Sequence, residues 1–151
     1  MTMTTKQTLC AAVRRGCDVA TVLDMLKAGA DPNEEDGYHT PLSSAVIKMN
    51  LALVTVLLRA GADPNARSAL GVTPLMHATY DRATDIVRIL HQYGADLDAV
   101  CENTEYTALA TAARSNDIVM FSLLVELGAD TSLRVRGWTP HQLAVVGRLC
   151  A

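Results

Sequence analysis

Apolar positions along this chain fall at helical spacing in short runs that come in pairs. The first run of each pair is small and alanine-rich, as in Leu42, Ala45 and Val46, Leu75 and Ala78, Leu109, Ala112 and Ala113, and Leu143, Ala144 and Val145. A Thr precedes each of these runs, usually with Pro behind it, at Thr40-Pro41, Thr73-Pro74, Thr107-Ala108 and Thr139-Pro140. The hydroxyl can accept from an unpaired backbone N–H, and Pro at the first helical position loses nothing, so each Thr predicts the start of a helix A. Polar breaks at Lys48 to Asn50, Asp81 to Arg82 and Arg114 to Asp117 separate helix A from a second run.

That second run carries wider apolar stripes: Val22 with Met25 and Leu26, Leu53-Val54 with Leu57-Leu58, Ile86-Val87 with Ile89-Leu90, and Met120-Phe121 with Leu124-Val125. A stripe of this width predicts a helix B with neighbours on two sides, interior to a stack. Each helix B runs into Gly29, Gly61, Gly94 or Gly128, where a left-handed residue closes it, and a turn such as Asp31-Pro32-Asn33 follows.

The pairs keep a beat. Gly-Ala-Asp begins at Gly29, Gly61, Gly94 and Gly128, in steps of 32, 33 and 34 residues, and the Thr marker moves in steps of 33, 34 and 32. Two markers in phase identify a repeat architecture, and on these residues the chain resembles the ankyrin-repeat family, whose Thr-Pro-Leu signature appears as Thr40-Pro41-Leu42 and Thr73-Pro74-Leu75. The resemblance implies an all-α solenoid of stacked antiparallel helix pairs joined by β-turn or hairpin-like loops. It divides a single domain, 1–151, into an N-terminal capping unit at about 5–36, repeats at about 37–70, 71–104 and 105–136, and a C-terminal part-repeat at 137–151. The segment Leu9 to Val13 takes the place of the first helix A without its Thr-Pro start. The twelve residues after Thr139 leave room for one helix, as a truncated end or as a C-terminal cap.

Departures from the family pattern lie in the loops. Where the family has His after Thr-Pro-Leu, this chain has Ser43, Met76, Ala110 and Gln142, so the loop networks are expected to be weaker. One turn has Glu105 in place of Gly, and one has an extra residue between Gly37 and Thr40.

Composition narrows the function. Half the residues are apolar, and the six aromatics (Tyr38, Tyr80, Tyr93, Tyr106, Phe121, Trp138) are too few to fill the core. A net charge of −3 gives no general attraction for nucleic acid or anionic lipid, so neither is expected as a partner. The first residues, Met1 to Lys6, contain no apolar stretch of signal or membrane-helix length, and Cys10, Cys17, Cys101 and Cys150 show no zinc-ligand spacing. Thiols in a reducing compartment, the cytoplasm or the nucleus, are the expectation.

His39, His77, His91 and His141 occupy unrelated repeat positions, and neither phosphate-binding loops nor nucleophile-elbow or zinc-protease motifs occur. No catalysis, cofactor, metal or small-molecule substrate is expected. A stack whose units touch only their neighbours encloses no deep pocket and suits another macromolecule.

The resemblance implies that a protein partner is held by the turn tips before helix A and by the exposed side of helix A. In this chain the tips carry Tyr38, His39, Val72, Tyr106 and Trp138. The helix side carries Ser44, Ile47 and Lys48, then His77, Tyr80 and Asp81, then Thr111, Arg114 and Ser115. Acidic residues at the first turn (Asp31, Glu34, Glu35, Asp36) and Arg134 and Arg136 at the last give the strip an acidic and a basic end. The expected function is a non-catalytic, monomeric protein-interaction module. The alternatives are a recognition segment of a larger enzyme complex, such as a ubiquitin-ligase adaptor, or a purely structural scaffold. Leu149 and Cys150, near an uncapped end, are candidates for promoting association.

Overall fold

The computed structural model describes residues 8–149; Thr5 to Gln7 of the expected first unit, the side chain of Leu149, and Cys150 lie outside the described residues. Nine helices are present among them: α1 (Leu9–Arg15), α2 (Val19–Lys27), α3 (Pro41–Ile47), α4 (Leu51–Arg59), α5 (Pro74–Tyr80), α6 (Thr84–Gln92), α7 (Ala108–Arg114), α8 (Ile118–Leu127) and α9 (Pro140–Leu149). The odd-numbered helices are the A helices and the even-numbered ones the B helices of the repeating pair.

Local chemistry fixes where each begins. Thr8, Thr40, Thr73 and Thr107 are extended residues whose side chains accept the N–H of Ala11, Ser43, Met76 and Ala110. The first unit therefore has a helix start of the same kind, made by Thr8 without Pro. The loss of His after Thr-Pro-Leu is also made good at two places. Ser43 completes a reciprocal capping box with Thr40, and the Gln142 side chain accepts from the Thr139 N–H. Met76 and Ala110 have no side-chain oxygen to do this, so the expected weakness holds only for α5 and α7.

Asp18, Asn50 and Asp117 cap α2, α4 and α8 in the same way, whereas Ala83 leaves α6 uncapped. Just past the B helices, Gly29, Gly61, Gly94 and Gly128 lie at φ of +90°, +91°, +88° and +105°, a conformation that a side chain would strain.

Packing places the A helices innermost. α1, α3, α5, α7 and α9 pack side by side in one row, more closely than α2, α4, α6 and α8 in the other. In α3 every residue from Pro41 to Val46 is buried, and in α7 Ala108, Leu109, Ala110, Ala112 and Ala113 are buried. This corrects the expectation that helix B is the interior helix: the small A-helix side chains let their backbones approach, so it is the A row that loses its solvent.

The same closeness buries Ser44, expected on the exposed side; it faces α1, with its Oγ 3.7 Å from the Cys10 thiol. The B helices bury Leu53, Leu57, Leu90 and Leu124 into one continuous core with Leu42, Leu75 and Leu109. Each such leucine is worth about 1.5–3 kcal/mol on burial.

Side-chain amides tie successive turns together. Asn33 donates to the Gly61 carbonyl at 3.0 Å and accepts from the Asp63 N–H at 2.7 Å. Asn65 repeats both bonds one unit on, to the Gly94 carbonyl and from the Asp96 N–H. At the next position Asp98 accepts from the Asp130 N–H at 2.8 Å but, as a carboxylate, has no N–H to give to Gly128. The third rung is therefore single.

Two measurements check this architecture. Leu57→Ala should lower the unfolding free energy by roughly 2–5 kcal/mol, read from urea denaturation; an unchanged midpoint would contradict its place in the core. Asp98→Asn supplies the missing donor and should raise stability by about 1 kcal/mol, with a higher urea midpoint.

Candidate functional site

The segments preceding α3, α5, α7 and α9 fold back as narrow hairpin-like turns. Asp36 N–H reaches the His39 carbonyl, Ser68 N–H the Val72 carbonyl, Cys101 N–H the Tyr106 carbonyl, and Val135 and Trp138 exchange both bonds. Glu105 takes the left-handed conformation at φ +62°, so its turn closes without the family's Gly. The extra residue after Gly37 is absorbed by Asp36, whose carboxylate accepts from both the Tyr38 and His39 N–H groups. Those N–H bonds, the His39 one foremost, outweigh burial and hold the Asp36 carboxyl below its ordinary range, helped by Arg14.

This also changes the reading of the acidic first turn. Asp36 is mostly buried and paired with Arg14 at 2.5 Å, Glu34 accepts the Cys10 N–H at 2.7 Å, and Asp31 accepts the Asn33 N–H. Three of the four carboxylates hold the turn in place, and only Asp31 and Glu35 of the four are exposed. The acidic end expected from sequence is thus largely internal bonding.

The turn tips do not form a uniform column. Tyr38 is 69% exposed and Trp138 47% exposed, but Val72 is half-buried against Met76, Ala99 and Cys101 and acts as packing. His39 is half-buried, with its ring 6.2 Å from that of His77 on α5. Asp81 is exposed at the end of α5, and Arg134 is exposed and donates to the Gly137 carbonyl at 3.4 Å. Ile47 and Lys48 lie exposed on the first part of the face.

Seven of the expected residues do meet. Val72, His77, Tyr80, Tyr106, Thr111, Arg114 and Arg136 line a concave space of about 590 Å³ between the turns and the A row. Tyr80 stands 73% exposed at its edge. The guanidinium carbons of Arg114 and Arg136 lie 5.1 and 5.7 Å from the centroid of the Tyr106 ring, and Arg136 also reaches Glu105 at 3.6 Å. Each cation–ring contact is worth roughly 0.5–1 kcal/mol at an exposed site.

Asn103 and Thr104, not singled out from the sequence, share the lining because the turn before Tyr106 carries them in, and Asn103 donates to the Leu70 carbonyl of the previous turn at 2.9 Å. Their signal in the sequence is only their place three and two residues before the aromatic.

Titration in this region follows burial. His77 is held below its ordinary pKa by desolvation first and by neighbouring His39 second, with Asp81 opposing; His39 Nδ1 and His77 Nε2 are buried without a hydrogen-bond partner. Burial pushes the Cys101 thiol up, but hydrogen bonds from Thr104 and Asn103, with Arg67 nearby, more than offset it and leave the thiol below its ordinary value. No group of three or more His, Cys, Asp and Glu suited to a metal ion occurs among the described residues.

A family model of ankyrin repeats, in three copies, matches residues 9–101, which is more than half of the chain. The chain belongs to the ankyrin-repeat family. Beyond the match, α7, α8 and α9 continue the same alternation of helices. No curated protein matches the chain. Ankyrin repeats are generally protein–protein interaction modules, and the family is typically non-catalytic. No helix among the described residues is long and apolar enough to cross a membrane.

Because the His77 pKa in the folded ankyrin stack lies below the ordinary 6.5, the unfolded chain binds the proton more readily. The stabilising effect of a neutral His77 is present above that pH and is lost as pH falls through 6.5 toward the folded value. Urea midpoints measured at about pH 7.5 and pH 5.5 should fall for the wild type, and fall less for His77→Gln. Equal slopes would remove His77 from this account.

Proposed function

We propose that this ankyrin-repeat chain is a non-catalytic interaction module that, as a monomer, holds a protein partner on the face between its turn tips and its A helices. The observation that carries the reading is the cluster in which Tyr80 stands open to solvent beside Tyr106, with two guanidiniums at the Tyr106 ring. Tyr and Arg are the side chains that dominate interfaces, because each brings large contact area together with directed polar groups. No core requires Tyr80 where it stands.

Trp138 and Tyr38 extend the contact toward the two ends of the face, with His39, Asp81 and Arg134 as flanking polar groups. Val72 and His77 form the floor. The buried thiols of Cys10 and Cys101 fit a reducing compartment, the cytoplasm or the nucleus.

A triple variant, Tyr80→Ala, Tyr106→Ala and Trp138→Ala, keeps the helical core intact and should lose the proteins that the wild type captures from cell extract, since each hot-spot truncation costs on the order of 2 kcal/mol. Circular dichroism checks that the variant is folded. Equal capture by both folded proteins would reject this face.

A further inference from the structure

We propose that the concave space around Tyr106 accepts an acidic segment of the partner protein, in which a carboxylate side chain lies next to an apolar one. The inference rests on the binding face proposed above and specifies its chemistry. The chain as a whole carries 16 acidic against 13 basic side chains, yet the lining of this space holds two guanidiniums and no carboxylate. The local charge is thus opposite to that of the molecule.

The two arginines are also available. Among the described residues Arg114 has the Tyr106 ring as its contact and no carboxylate partner, so its N–H donors remain open to a ligand. Arg136 meets Glu105 at 3.6 Å, but with side chains 60% and 66% exposed this pair is a weak, solvated one that a partner's carboxylate can replace. Stacking on Tyr106 holds both guanidiniums in place before binding, which lowers the ordering cost that a free arginine would incur. Beside them, Met76 and Val72 form an apolar floor and Tyr80 an aromatic wall, which fits an apolar neighbour of the carboxylate.

A polyanion such as RNA fits less well. Glu102 and Glu105 stand exposed on the turn immediately beside the space, where a continuous line of phosphates would run against them, while a single carboxylate enters between.

The test is selection from a phage-displayed library of random 12-residue peptides on the purified chain, followed by fluorescence anisotropy with a fluorescein-labelled selected peptide. The wild type should enrich Asp or Glu adjacent to an aliphatic or aromatic residue. The double variant Arg114→Gln, Arg136→Gln should bind that peptide about 10-fold or more weakly, the size expected for a lost charged hydrogen bond. Replacing the peptide's acidic residue by its amide should cost a similar factor with the wild type and little more with the double variant.

Selected peptides without acidic bias, or equal affinity of the double variant, overturn the acidic segment; if the Tyr80, Tyr106 and Trp138 variant still abolishes their binding, the face itself stands. Peptides indifferent to both variants, or a library without binders, overturn both. Tighter binding of a fluorescein-labelled 20-mer of uridine than of the acidic peptide overturns the protein segment in favour of nucleic acid.

Discussion

Every helix pair in this chain has an apolar side that only the next pair can cover, and the architecture follows from that dependence. Leu42, Leu75 and Leu109 occupy equivalent places in successive A helices and join one core that runs the length of the stack. Because each unit is completed by its neighbours, contacts are local in sequence and the molecule grows by addition along one axis. The small side chains of the A row draw those helices closer than the B row, and a stack drawn tighter on one side bends toward it. The hairpin-like turns stand at the edge of that side, and the concave space between turn tips and A helices is the product.

Much of this was legible because its signals are local. A Thr caps the residue three positions on, and a Gly closes the helix it follows, so the beat of Thr and Gly marks the helix borders directly. Burial against another repeat is a different kind of fact. Ser44 reads as exposed on its own helix, and only the presence of α1 across from it makes it buried. The acidic turn misled for the same reason: Arg14 and the Cys10 N–H, 22 and 24 residues from their carboxylates, consume charges that look free in the sequence.

The binding face shows the same division. The aromatic and arginine positions could be transferred repeat by repeat, but their grouping could not. Tyr106 and Arg114 belong to one unit and Arg136 to the following turn, and their meeting at one ring depends on the stagger between units. Val72 occupies the same register as Tyr106 and Trp138, yet its smaller side chain turns inward and packs. What the sequence shows as a column is, in three dimensions, a cluster around Tyr106 whose lining includes neither Tyr38 nor Trp138.

The amide ladder along the outer turns has a mechanical meaning for that cluster. Asn33 and Asn65 clasp their neighbours with two bonds each, while Asp98 clasps the next unit with one, and α8 sits more loosely on α6 than α4 does on α2. That joint is held instead by the ion pairs Arg82–Asp117 and Arg88–Glu126 and by the Asn103 bond to the Leu70 carbonyl, and it is the one that Tyr80 and Tyr106 straddle. A molecule gripping both rings would act as a splint across it, so that occupancy and the rigidity of the far end of the stack rise and fall together.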